Sequence, residues 1–374
     1  MLQIKSLSYW EQRTYFDDLD FTIIGSGIVG YSTALNLRKK YPTAKILIVE
    51  RGYLPAGASS KNAGFACFGS ASELYEDLKT IPEEIVWDTF ALRWEGLRQL
   101  KETLGIQSID YQQFGSWDLI QDNQSELPSN FIDYLNEKAC SITGEKSIYS
   151  EDLMVSDRFL FKGIKTSYRN SIEGQIDTGK MNHQFHKLAL SKNIMCLFGV
   201  EIKAFESHSN NVLITSSVGE FSTKKLAICT NGFASQFINE DVKPARAQVL
   251  VTEKIPNLPF KGTFHMENGY YYFRNIDQRI LFGGGRNLDI EGETTTQIST
   301  SDLIQANLEE RLRKFILPNK SVKIEYRWAG IMGIGKTKSP IIKSIHPNVC
   351  IGVRMGGMGV AIGSEVGKSL SNFF

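Results

Sequence analysis

The spacing of apolar residues changes twice within the first fifty positions. Residues 21–24 (Phe21-Thr22-Ile23-Ile24) form a short β-rich run closed by Gly25. Across 28–40, Ile28, Tyr31, Ala34 and Leu35 fall on one helical face with Leu37 at its margin, and Pro42 follows the helix end. Residues 46–49 are then continuously apolar, as in a strand buried on both faces of a parallel sheet.

Beyond this strand–helix–strand unit the pattern becomes mixed. Residues 82–104 read as an amphipathic helix, followed by a looser stretch to about residue 168 with one strand at 117–120. A helix at 178–192 runs into a strand at 194–198, and 212–216 with 220–229 reads as a meander. Residues 246–254, 269–274 and 279–284 are rich in Val, Tyr, Phe and Leu, with turn residues between them, and predict antiparallel strands. A charged amphipathic helix at 302–315, a strand at 349–353, a glycine-rich turn and a helix from about residue 360 complete the chain. The fold class is α/β: a Rossmann-like domain interleaved with an α+β domain that contains a mainly antiparallel sheet.

Composition narrows the function more by exclusion. The 374 residues allow two domains. A formal net charge of +1 provides no field to steer nucleic acid or membrane, and no apolar run approaches a membrane span. Cys67, Cys140, Cys196, Cys229 and Cys350 lie far apart with no CxxC pair, which predicts reduced thiols in a cytoplasmic protein. The amino terminus lacks a signal-peptide pattern. His183, His186, His208, His265 and His346 show no metal-ligand spacing beyond a chance His183/His186 pair, so no metal is expected. No GxSxG nucleophile motif occurs.

The chemistry begins at Gly25-Ser26-Gly27-Ile28-Val29-Gly30, a GxGxxG pattern placed between a strand and a helix, with Glu50 ending the next strand. These are the contexts in which the pattern is specific for a dinucleotide. Gly25 makes the tight turn, Gly27 clears the approach to a pyrophosphate, and Gly30 lets helix and strand pack closely. Free N–H groups and the helix dipole then face the phosphates, while the Glu50 carboxylate can accept a ribose hydroxyl. Pro55-Ala56-Gly57-Ala58-Ser59-Ser60-Lys61-Asn62-Ala63-Gly64 follows, a run of small residues that permits close approach by a flat ring and favours FAD over NAD.

At these motifs the chain resembles the D-amino-acid oxidase, glycine oxidase and sarcosine oxidase superfamily of FAD-dependent oxidoreductases. The matches continue through Gly174-Gln175-Ile176-Asp177, Ile228-Cys229-Thr230-Asn231-Gly232, Tyr270-Tyr271-Tyr272-Phe273-Arg274, Trp328-Ala329-Gly330 and Gly356-Gly357-Met358-Gly359. The resemblance implies extended, noncovalent FAD, with hydride taken from the carbon beside an amine and hydrolysis of the resulting imine. It implies an FAD-binding domain over 1–86, 173–242 and 326–374, and a substrate domain over 87–172 and 243–325. Besides Gly25, Ser26, Gly27, Ile28, Gly30 and Glu50, the implied FAD contacts are Arg51, Ser59, Lys61, Asn62, Ala63, Gly64 and Ile202. Thr230, Asn231, Gly232, Gly330, Gly356, Gly357, Met358 and Gly359 complete that set.

Substrate residues are implied at Tyr271, Arg286, Met332 and Arg354. Met332 stands where many members carry a carboxylate-clamping arginine after Trp-Ala-Gly, so Arg286 and Arg354 are the candidates to replace it. Strand alternation puts Tyr271 on the face opposite Tyr270 and Tyr272, which leaves open which of them meets substrate. Leu281 occupies the place of the oxygen-activating lysine of the sarcosine-oxidase branch, and no cysteine falls in the 330–340 loop where that branch attaches its flavin. The expected partner is a small amine or amino acid, with the electron acceptor open. A flavin-dependent 2-hydroxy acid dehydrogenase, a non-catalytic flavin-binding protein and a tRNA-modifying enzyme are alternatives, the last disfavoured by the lack of a basic stripe.

Overall fold

The computed structural model describes residues 4–318 and 320–374; residues 1–3, part of the amino-terminal stretch read above, lie outside them. Two eight-stranded sheets organise the chain. In the first, Leu19–Ile24 is central and pairs in parallel with both Ile46–Glu50 and Gly219–Ile228. Met195–Phe198 extends the sheet on one side, and Val349–Val353 with Ile341–His346 on the other. Every residue of Ile46–Glu50 is buried, as its unbroken apolar run requires. Helix Ile28–Lys40 packs on this sheet beside the carboxy-terminal helix Gly359–Ser371.

The second sheet runs in the order Ile324–Ile334, Lys243–Thr252, Arg279–Gly284, Tyr271–Ile276, Thr263–Met266, Ser116–Gln121, Ile164–Asn170 and Tyr149–Glu151. All neighbours are antiparallel except Thr263–Met266 with Ser116–Gln121. Ile324–Ile334, grouped above with the flavin half from residue 326, hydrogen-bonds along Lys243–Thr252 in this sheet. Its other end closes on the first layer, where a Cβ at Gly232 would stand 2.4 Å from the Met332 carbonyl oxygen.

The looser stretch after residue 104 contains more order than its pattern announces. Helix Phe131–Thr143 buries only Phe131, Leu135 and Ala139, one residue per turn among polar neighbours, so its amphipathic stripe is thin. Helix Ala71–Thr80 precedes the helix expected near 82, and Pro82 separates it from Glu83–Leu104. The helix expected over 302–315 is α-helical only through Asp302–Arg311, then widens into a π turn at Leu312–Ile316.

Candidate active site

The turn between Leu19–Ile24 and Ile28–Lys40 is closed too tightly for side chains. Gly25 has φ +103°, and a Cβ at Gly30 would lie 1.9 Å from the Gly25 carbonyl oxygen. A Cβ at Gly27 would meet Ser59 Oγ at 2.8 Å. That hydroxyl accepts the Ile28 N–H at 3.0 Å, so the small-residue loop caps the helix start. Glu50 is held at the strand end: Oε2 accepts Ser26 N–H at 3.2 Å and Ser26 O–H at 2.8 Å, while Oε1 accepts Gly52 N–H at 3.0 Å.

One cavity of about 660 Å³ runs from this turn to the opposite sheet. At the turn end it is lined by Gly25, Gly27, Ile28, Glu50, Arg51 and Ile202, with Thr230 and Asn231 beside them. The Arg51 guanidinium lies 3.8 Å from the Phe233 ring centroid. The middle is bounded by Ser59, Lys61, Asn62, Ala63 and Gly330, and the far end by Gly356, Gly357, Met358 and Gly359. Ser26, Gly30, Gly64 and Gly232 are outside the lining and support it from behind. Asn62 is the knot of the central loop: its amide donates to Ser59 O at 2.8 Å, and its Oδ1 accepts Gly64 N–H at 2.8 Å and Thr178 O–H at 2.9 Å.

Two anticipated substrate residues are not in the cavity wall. Tyr271 is fully buried on the core face of its strand, with its hydroxyl donating to Asn307 at 2.9 Å and Arg311 3.8 Å above its ring. Alternation turns Tyr272 to the cavity instead, and Tyr270, just ahead of the strand, joins it. Arg354 is consumed by structure. Its guanidinium donates to Asp241 Oδ2 at 2.8 Å, Asp241 O at 3.0 Å, Ser339 O at 2.9 Å and Thr337 Oγ1 at 3.1 Å. Five N–H donors with four such partners leave no fork for a ligand.

Arg286 and Met332 do line the cavity. No hydrogen bond or ion pair holds the Arg286 side chain among the described residues, unlike that of Arg354. Sequence reasoning missed a polar group from helix Ala71–Thr80. Lys338 Nζ sits 2.8 Å from Glu73 Oε1 and 2.8 Å from Asp77 Oδ2, with Arg93 3.5 Å from Glu73. Burial works to raise the Glu73 carboxyl, but Lys338 and Arg93 together hold it down at about 2. For Asp77 burial outweighs Lys338, and its carboxyl is raised. His265 also borders the cavity, its imidazole pushed down to about 4 by burial against the opposing pull of Glu73. No spacing along the chain announces this group, because 73, 265 and 338 meet only through the fold.

The wall fits an extended dinucleotide of the FAD type on its own terms. It has a glycine cradle that side chains would fill, a helix amino terminus at one end and another at Gly359. It also has a buried Thr230 hydroxyl with no hydrogen-bond partner among the described residues. These features define a Rossmann-type flavoenzyme, and the chain belongs to the FAD-dependent oxidoreductase (DAO) family, which it matches over residues 20–372. Its particular likenesses are more distant. Gamma-glutamylputrescine oxidoreductase of Escherichia coli is 21% identical over 380 residues, covering 94% of this chain and 82% of that protein. L-2-hydroxyglutarate dehydrogenase of the same organism is 23% identical over 228 residues, covering 59% and 49%. Among solved structures, glycine oxidase from Bacillus cereus superposes with a TM-score of 0.72 at 17% identity, covering 95% of this chain and 94% of that one. No helix among the described residues is long and apolar enough to cross a membrane.

Proposed function

We propose that the protein oxidises a small amine or amino acid at the carbon bearing nitrogen, with FAD held noncovalently along the cavity. The observation that carries this reading is the single cavity joining the Gly25–Gly30 turn to the space between Gly356–Gly359 and the second sheet. FAD in that cavity supplies the two-electron acceptor; the side chains bind, orient and keep water out.

Glu50 receives the adenosine ribose and Arg51 with Phe233 flanks the same end. Ser59, Lys61 and Ala63 border the central part, and the first N–H groups of helix Gly359–Ser371 face negative charge at the ring end. Lys61 is fixed from behind, since Trp328 Nε1 donates to its carbonyl at 2.9 Å and its Cβ fills the space beside Gly330. Among the described residues Cys229 is the only cysteine in the cavity wall, and it stands beside the Gly25 turn at the nucleotide end, away from the ring end where a covalent flavin bond would form. Arg286 takes the substrate carboxylate where one is present, replacing the arginine that Met332 displaces. Tyr270, Tyr272 and Met332 shape the apolar wall, and burial keeps the Tyr272 hydroxyl protonated, up at about 12. Gamma-glutamylputrescine oxidoreductase and glycine oxidase both take their names from nitrogen-bearing compounds, in agreement with this reading.

The likeness to L-2-hydroxyglutarate dehydrogenase favours a second reading, oxidation of a 2-hydroxy acid held by the same Arg286. Product analysis with an artificial electron acceptor separates the two. Amine oxidation yields a carbonyl compound plus ammonia or a smaller amine; turnover of 2-hydroxy acids without turnover of any amine establishes the second reading instead.

A further inference from the structure

We propose that Cys67, Glu173 and His265 form a divalent-metal site, suited to Zn²⁺, at the back of the cavity, with His265 in the wall and Cys67 and Glu173 behind it. The two short strands Phe65–Ala66 and Gly174–Gln175 pair as Phe65↔Gln175 and Ala66↔Gly174, and the same register carried one residue further brings Cys67 beside Glu173. Thr263–Met266 then delivers His265 from the second sheet. One ligating atom from each residue lies within 4.8 Å of the other two. All three are buried, with 1%, 0% and 8% of their surfaces exposed in chain order.

The independent observation is His265 Nε2, which is buried with no hydrogen-bond partner among the described residues. A buried imidazole nitrogen left unpaired is costly, and a bound ion removes that cost. The Cys67 sulfur is held by weak partners only, its thiol reaching Gly174 O at 3.8 Å and Thr263 Oγ1 at 3.4 Å. Glu173 is already oriented: Oε1 accepts the Phe68 and Gly69 N–H groups at 2.6 and 2.9 Å, and Oε2 accepts the Ser116 hydroxyl. Such bonds are what hold a ligating carboxylate in place: Oε1 is filled by its two N–H donors, and Oε2 retains a lone pair for the ion.

Thiolate, imidazole and carboxylate together select a borderline-soft ion. Magnesium and calcium take all-oxygen shells, whereas zinc takes this mixed set with one position left for water. At zinc–ligand distances the three atoms draw together to separations of about 3.5 Å. The site holds no reacting atom of the proposed oxidation, so its occupancy is measurable whether or not that reaction is correct.

The test uses the flavin-loaded protein, stripped with a chelator, dialysed against Zn²⁺ and freed of excess metal before elemental analysis. The expected result is about one zinc per chain, with binding weakened at least ~10-fold in Cys67→Ser and in His265→Asn. No retained zinc, or equal uptake by both variants, overturns the proposal. Should a variant lose its fold, Co²⁺ in the unmutated protein decides. Intense tetrahedral ligand-field bands beyond the flavin absorption sustain the site, and a weak octahedral spectrum overturns it.

Discussion

At the scale of single residues, the substrate end depends on which way a strand points its side chains. Tyr271, Tyr272 and Phe273 are chemically alike in sequence, and the packing of Phe264 and Phe282 against Phe273, with the Asn307 and Arg311 contacts of Tyr271 itself, fixes Tyr271 to the core side. The alternation was legible; its phase was not, because aromatic residues stand on both faces of this strand, Tyr271 and Phe273 on one and Tyr272 on the other. Arg286 and Arg354 were likewise equivalent in sequence until Asp241, more than a hundred positions away, took the second of them. Replacing Arg286 by Leu is expected to lower kcat/KM for a carboxylate-bearing substrate by about 10–100-fold, the loss of one charge-assisted contact of about 1.5–3 kcal/mol. Steady-state kinetics on the same amine with and without its carboxylate checks this, since the carboxylate-free compound is expected to change little.

At the scale of elements, the nucleotide-binding unit was legible almost to the residue because local rules coincide there. Helix Ile28–Lys40 and strand Val349–Val353 have the bounds their patterns predict. Composition, turn chemistry and burial all point one way in such segments. The missed elements are those where they diverge: helix Ala71–Thr80 begins in a run of small and polar residues, and Phe131–Thr143 carries a narrow stripe. The tight turn makes a sharp prediction. Gly30→Ala places a methyl carbon 1.9 Å from the Gly25 carbonyl, so the turn opens and flavin is lost. Absorbance per chain after gel filtration is expected to fall at least ~10-fold relative to the parent.

For the whole molecule, charged groups buried as pairs matter more to stability than the many surface pairs. Arg246 donates to both oxygens of Glu293, at 2.9 and 2.7 Å, and Gln248 adds a third bond at 2.9 Å. Removing the carboxylate with Glu293→Ala strands a buried guanidinium and is expected to cost about 3–5 kcal/mol in denaturant unfolding. The Glu73 group sets an acid limit. Its carboxyl falls from 4.5 to about 2 in the fold because Lys338 and Arg93 overcome burial. Its contribution is therefore complete above about pH 4.5 and disappears as pH falls toward about 2. Glu73→Gln is expected to be clearly destabilising near pH 6, to cost less than half as much near pH 3, and to become nearly neutral only near pH 2, compared by urea unfolding at these values.

In the proposed reading, one cavity holds FAD and presents it to an amine. Its most direct test is the visible spectrum of the purified protein as small amines and amino acids are added without oxygen. The expected result is a flavin spectrum, released intact into solution on denaturation, that bleaches with at least one nitrogen-bearing compound. A colourless protein that takes up no FAD, or a flavin that bleaches with 2-hydroxy acids and no amine, contradicts it.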